Sequence, residues 1–190
     1  MSSINREVIT KNILKLIDAN GIDDKDFANL IEKSTRTLAR IRNDEALFNV
    51  EAINIASLFF KKSLTELNIP DIQIEDNSRN TLKDIHKDNV SYYSLLEKRP
   101  SITYAIIHYL LTNEEFCSKG MIVDKIKKLF ESFGWKYSSS YISSSMVRNN
   151  KYIAFSGTEI VNGNEVNIYK STTNLPLNGR SKAVRETCWI

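Results

Sequence analysis

The stretch "EKSTRTLARIRND", residues 32–44, decides how the first half of this 190-residue chain is read. It sets four basic residues, Lys33, Arg36, Arg40 and Arg42, beside three hydroxyls, Ser34, Thr35 and Thr37. Ser34 is a favoured N-cap, so the spacing predicts a helix over 34–43. At ~100° per residue, Arg40 lies about 40° and Lys33 about 60° from Arg36, whereas Leu38 and Ile41 lie about 200° and 140° away. The basic side chains share one face and the apolar anchors hold the opposite one. Basic outer faces are common on solvated helices, so taken alone this helix leaves a solvated reading level with a DNA-reading one.

The flanking sequence shifts that balance. "VITKNILKLIDANG" (8–21) puts Ile9, Ile13, Leu14 and Ile17 on one stripe and stops at Gly21, as a glycine just past a helix end would. "DDKDFANLI" (23–31) opens with acidic residues suited to a helix start and carries Phe27, Leu30 and Ile31. "NVEAINIASLFF" (49–60) has Asn49 as cap with Ile53, Ala56 and Phe60 inward, and Ser63 opens a short "SLTEL" helix. Five short helices within about sixty residues predict an all-α domain over 1–68. The small Ala28 falls where the second and third helices must approach most closely.

Residues from about 9 to 68 resemble the Cro/C1-type (XRE-type) helix-turn-helix DNA-binding domain. The likeness includes Ile55-Ala56 and the closing Ser63-Leu64-x-Glu66-Leu67, and covers about a third of the chain. It implies a five-helix domain that binds operator DNA as a dimer, its third helix in the major groove. By position, Thr35, Arg36, Thr37 and Arg40 would face bases, and Lys33, Ser34 and Asn43 the backbone. Arg42, at the helix end, also suits a phosphate. Three positions depart from the family pattern: Glu32 stands where glycine is usual, Lys33 where an apolar residue is, and Asp24 where a phosphate-contacting Gln often is. Asp24 sits among Asp23 and Asp26, and three carboxylates near a phosphate backbone oppose binding.

Residues 69–98 begin as a linker, "IPDIQIEDNSRN". A possible connecting helix follows, with Leu82, Ile85, Asn89, Tyr92 and Leu96 near a 3–4 spacing. It would either form a coiled-coil seam or pack onto its own domain. From 99 the order is an apolar helix with Pro100 at N1, then an amphipathic helix carrying Ile122, Ile126, Leu129 and Phe130 and closed by Gly134. A Ser-rich helix with Ile142 and Met146 inward comes next. Two strands joined at Asn162-Gly163, a strong hairpin signal, end the series. Helix, helix, helix, hairpin resembles a winged-helix domain over 99–173, followed by a flexible basic tail, 174–190. A second DNA contact would use Ser140, Ser144, Arg148, Lys151 and Lys170, with tail residues Arg180, Lys182 and Arg185 adding charge. The alternative use of this domain is dimerisation or partner binding. The fold expected is therefore mainly α: a five-helix Cro/C1-like domain followed by a winged-helix-like α+β domain with one β-hairpin.

The bulk properties narrow the function. At 42% hydrophobic and 26% charged, the chain is ordinary globular material. The net charge of +3 is too small to argue for nucleic acid by itself. Residues 1–70 are balanced, ten basic against ten acidic, so a DNA-binding first half must segregate its charges onto faces. No run reaches the ~20 apolar residues of a membrane span, and "MSSINREVIT" carries no apolar core of a signal peptide. A cytoplasmic location is expected. Cys117 and Cys188 are too few for a disulfide framework or zinc site and read as free thiols. His86 and His108 have no metal-ligand spacing, and no Gly-rich phosphate loop or nucleophile elbow occurs. No enzyme, cofactor, metal or small-molecule ligand is expected. The partners expected are double-stranded DNA and a second copy of the chain. The leading expectation is a sequence-specific transcriptional regulator, a repressor of phage or mobile-element type. The alternative is a protein-interaction or dimerisation adaptor built on helix-turn-helix scaffolds without DNA readout.

Overall fold

The computed structural model of the protein describes residues 4–75 and 77–172. The expected tail, 174–190, with Arg180, Lys182, Arg185 and Cys188, lies outside them. The described residues are mainly helical, at 56% helix, with a three-stranded antiparallel sheet. No helix among the described residues is long and apolar enough to cross a membrane. Two compact units divide it, Met1–Ser101 and Ile102–Ile190.

The first unit is α1 (Arg6–Ala19), α2 (Asp24–Leu30), α3 (Thr35–Arg42), α4 (Val50–Phe60), α5 (Leu64–Leu67), α6 (Ser78–Ile85) and α7 (Val90–Glu97). Local chemistry sets most of these ends. The side chains of Asn5, Asp23, Ser34, Asn49, Ser63 and Asn89 each accept a first-turn backbone N–H. Ser63 and Glu66 form a reciprocal capping box. α1, α2 and α3 close alike, with Gly21, Glu32 and Asp44 at positive φ (60°, 55° and 58°). The next residue's N–H reaches five residues back, Ile22 to Ile17 O, Lys33 to Ala28 O and Glu45 to Arg40 O, the Schellman arrangement.

Inward stripes meet in one core around Phe27, whose ring stacks on Phe60 at 5.9 Å and meets Phe48 edge-on at 6.1 Å. Ile9, Ile13, Ile17, Leu38, Ala56, Phe59 and Leu67 are fully buried around it. Buried Asn12 ties α1 to the chain beyond α5, donating to Leu67 O (2.9 Å) and Ile69 O (2.8 Å).

Segment 69–98 differs from a linker with one connecting helix. Ile72 and Ile74 pack on the first core, and Leu82 of α6 and Leu96 of α7 are part of it. Asn89 occupies no seam position: its Oδ1 caps α7 by accepting from Tyr92 N (3.1 Å), so the helical pattern breaks there in two. His86 is buried, stacks on Phe59 at 5.7 Å and donates to Phe59 O at 2.7 Å. Pro100 does not open the next helix either. Ser101 gives its N–H to Gly21 O at 2.8 Å, and the helix starts at Ile102.

The second unit runs α8 (Ile102–Ala105), continuing into a π-helical turn (Ile106–Leu110), then α9 (Glu114–Ser118), β1 (Met121–Ile122), α10 (Val123–Ser132), α11 (Ser139–Arg148), β2 (Ile153–Val161) and β3 (Asn164–Ser171). The hairpin turns at Asn162 and Gly163, both at positive φ (52° and 80°), the backbone a type I′ turn needs. Strand order is β1-β3-β2, with Met121 opposite Tyr169. The short β1 was not legible in the sequence, which put Ile122 inside the amphipathic helix; the helix starts one residue later. At Gly120 (φ 84°) a Cβ would sit 2.9 Å from Tyr169 O, so only glycine lets the chain enter β1 this close to β3. The core gathers Ile106, Leu110, Phe116, Ile126, Phe130, Ile142 and Met146, with Cys117 among them.

His108, in the π-helical turn, packs against the Tyr104 ring with centroids 4.2 Å apart and planes tilted by 31°, and burial pushes its pKa down to about 4. Its ordinary value is near 6.5, so between those pH values the unfolded chain binds a proton that the folded one refuses. Stability is therefore full above pH ~6.5 and falls as pH drops towards 4. With partial exposure allowed for, the loss is about 1–2 kcal/mol. Acid titration of the wild type against His108→Phe, followed by tryptophan fluorescence, checks this; the variant should lose less stability across that window.

Candidate nucleic-acid interface

α2, the turn at 31–34 and α3 form the candidate reading unit. Phe27, Ala28, Leu38 and Ile41 are 0–2% exposed, which fixes the inner faces of both helices in the core. Ala28 sits at the contact because a larger side chain would hold the helices apart. The turn is made by Glu32 at φ 55°, a strained conformation for a residue with a Cβ, at a cost of about 1 kcal/mol. Glu32→Gly is expected to raise the unfolding free energy by about 0.5–1 kcal/mol, measured by urea denaturation, with α3 unmoved.

The side chains on the outer face of α3 are not all placed alike. Thr35, Arg36 and Arg40 are exposed. Among the described residues Arg36 has no carboxylate within ion-pair distance, whereas Arg40 Nε lies 3.6 Å from Glu45 at the surface. Thr37 is half-buried, and its Oγ1 lies 2.9 Å from the Ser34 hydroxyl that caps the helix. Both hydroxyls are thus committed to the helix start. Lys33 is half-buried with Nζ 3.9 Å from Glu51, and Asn43 is exposed at the C-cap.

Arg42 is held inside the unit. Its guanidinium donates to both Asp24 oxygens through Nε (3.0 and 2.8 Å), to Asp24 Oδ1 through Nη2 (2.6 Å), and to Asp18 through Nη1 and Nη2 (3.1 and 2.7 Å). Burial opposes this charge, but the bonds and attraction from Asp18 and Asp24 outweigh it and raise the arginine's pKa. The side chain is 27% exposed and joins the end of α3 to the end of α1 and the start of α2. A phosphate would have to compete with two carboxylates already in place. The same contact neutralises Asp24, and Lys98 pairs with Asp26 at 2.7 Å. Asp23 caps α2. The acidic start of α2 is thereby occupied by internal bonds rather than facing outward bare. Asp18 is the residue the sequence reading missed here. It lies 24 positions from Arg42, and no local pattern marks such a pair.

In the second unit, Ile142 and Met146 of α11 are buried and Ser140, Val147 and Arg148 exposed. Ser144 is half-buried, donates to Tyr141 O and accepts from Arg148 at 3.4 Å. Lys151 is exposed beside the Tyr152 ring, and Lys170 lies opposite Ala154 in the hairpin. The exposed Lys136, just before α11, was not among the residues singled out from sequence. Compared with protein-family models, curated proteins and solved structures, the chain matches none of them.

Proposed function

We propose that this protein is a sequence-specific DNA-binding transcriptional regulator, a repressor of phage or mobile-element type, that reads the major groove with α3. On this reading the first unit is a Cro/C1-type helix-turn-helix domain and the second is winged-helix-like. The supporting features are the five helices α1–α5 with the αL turn at Glu32, and the order helix, β1, helix, helix, hairpin. The protein acts in the cytoplasm as a homodimer, and symmetry-related α3 helices about 34 Å apart would match successive major-groove faces of a palindromic site.

One observation carries the reading. α3 is anchored by Leu38 and Ile41 at 0% and 2% exposure while Arg36, with Thr35 and Arg40, stands in solvent on the far side. A guanidinium so placed matches the fork that guanine O6 and N7 present in the groove. Arg40 reaches a base by exchanging Glu45, a surface pair worth well under 1 kcal/mol. A gel shift on DNA flanking the protein's own gene tests this. Wild type should retard it, and Arg36→Ala with Arg40→Ala should weaken binding by two orders of magnitude or more.

The pairing of Arg42 with Asp18 and Asp24, and of Lys33 and Arg40 with surface carboxylates of the same unit, favours a second reading, an adaptor that keeps the scaffold and reads no DNA. Salt separates the two: a DNA binder loses affinity steeply as salt rises, and an adaptor has little to lose.

A further inference from the structure

β2 is an edge strand. In the order β1-β3-β2 it is bonded on one side, and among the described residues no strand pairs with its other side. A strand so placed leaves alternate backbone N–H and C=O groups pointing away from the sheet, able to pair with another chain. Its sequence, "IAFSGTEIV", has no Lys and no Pro, the residues that often keep such an edge unpaired. It does carry Phe155 and Ile160, which are 61% and 79% exposed.

The register shows how these two side chains are related. Five positions apart on a regular strand, they would lie on opposite faces. The bulge between Phe155 and Gly157 resets the alternation: Phe155 stands opposite Tyr169 and Ile160 opposite Glu165, residues of β3 that share a face. Thr158 is on that face too, and its hydroxyl donates to Glu165 Oε1 at 2.6 Å. Ser156, the extra residue, turns to the other face, where its hydroxyl and the Ile168 side chain both lie next to Gly120. With Ser156 and Gly157 counted as one bulged position, Phe155 and Ile160 stand two positions either side of Thr158.

Symmetric placement about one residue is what a strand needs to pair with a copy of itself. In an antiparallel pair with Thr158 on the two-fold axis, Phe155 lies opposite the partner's Ile160, and Ile160 opposite the partner's Phe155. Aromatic and β-branched side chains opposed in this way stabilise a sheet, and so does Thr158 against the partner's Thr158. Glu159, the one charged residue of the strand, falls opposite the partner's bulge rather than the partner's Glu159. The register brings apolar groups together twice and opposes no like charges.

We propose that the protein self-associates edge to edge through β2, so that two three-stranded sheets become one of six strands. This gives the homodimer of the proposed function its surface. It rests on that part of the reading and does not involve α3.

Sedimentation equilibrium of the full-length chain, wild type against Phe155→Lys/Ile160→Lys, measures the first consequence. Both positions are exposed, so the variant should keep the far-UV circular dichroism of wild type. Its dimer dissociation constant should rise about 10–100-fold, because both apolar pairs become opposed lysines. Copper-catalysed oxidation tests the register, in chains carrying Cys188→Ser so that this thiol takes no part. Thr158→Cys should join two copies, since residues directly opposite across an antiparallel pair have Cα atoms about 4.5–5.5 Å apart, within disulfide reach. Asn167→Cys, exposed and opposite Thr158 on β3, should not, because three strand spacings, about 14 Å, separate it from its copy. Should the lysines disturb folding, the cross-links decide alone. A wild-type dimer that the lysines leave intact, or that fails to cross-link through Thr158→Cys, overturns this surface and leaves the homodimer standing. A wild type that stays monomeric overturns both.

Discussion

Replacing Arg79 by alanine is expected to cost the first unit about 3–5 kcal/mol, a large part of what a domain this size has. Arg79, on α6, is 8% exposed. Its Nη1 donates to Asn20 O and to Gly21 O (3.3 Å), and its Nη2 donates to Leu96 O (2.7 Å) and Lys98 O (2.8 Å). Asn20 and Gly21 close α1, and Leu96 and Lys98 close α7, so one cation satisfies orphan carbonyls at two helix C-termini. The partial negative charge of those termini favours a cation there. Alanine leaves buried carbonyls without that donor, and bonds to a charged group contribute roughly 1.5–3 kcal/mol each before non-additivity. Arg79→Lys should recover less than half, because a point charge cannot fork to both helix ends. Urea unfolding followed by far-UV circular dichroism measures the loss. Both tryptophans, Trp135 and Trp189, lie beyond Ser101, so their fluorescence transition serves as a control that should stay in place.

Arg42→Ala carries the second large effect, about 2–3 kcal/mol of stability, discounted from a buried pair because the side chain is 27% exposed. Removing it leaves Asp18 and Asp24 facing one another and frees the end of α3 from α1 and α2. On DNA it should act as a positioning residue: affinity falls because α3 is less well fixed, while the slope of log affinity against log salt stays as in wild type. A phosphate contact would instead reduce that slope by about 0.9. The slope is what distinguishes the two roles, since affinity falls under either.

These two arginines also mark where the sequence stops being informative. The sidedness of α3 was legible because it depends on spacing alone, and so were the caps Ser34, Asn49 and Ser63, whose partners lie within three residues. The hairpin turn at Asn162-Gly163 was legible for the same reason. Arg42 was read as a phosphate contact because its partners are 18 and 24 residues away. The carbonyl partners of Arg79 belong to the backbone and leave no trace in side-chain pattern. Phe48 sits in a loop, outside any periodic stripe, yet is 1% exposed in the core. Asn89 fitted a helical period and was in fact the cap that interrupts it. The two-residue β1 is too short to show alternation and exists because Gly120 allows close approach to β3. At the site, the polarity of α3 was readable, whereas the internal engagement of Lys33, Thr37 and Arg42 depends on tertiary placement.

The central claim is that Arg36 reads a base from the exposed face of α3. Binding-site selection from a randomised duplex pool, run in parallel with wild type and Arg36→Ala, tests it most directly. Wild type should enrich a motif containing a guanine that the variant no longer prefers, with the preferences at other positions kept. Enrichment of the same motif by both proteins, guanine included, would contradict the account.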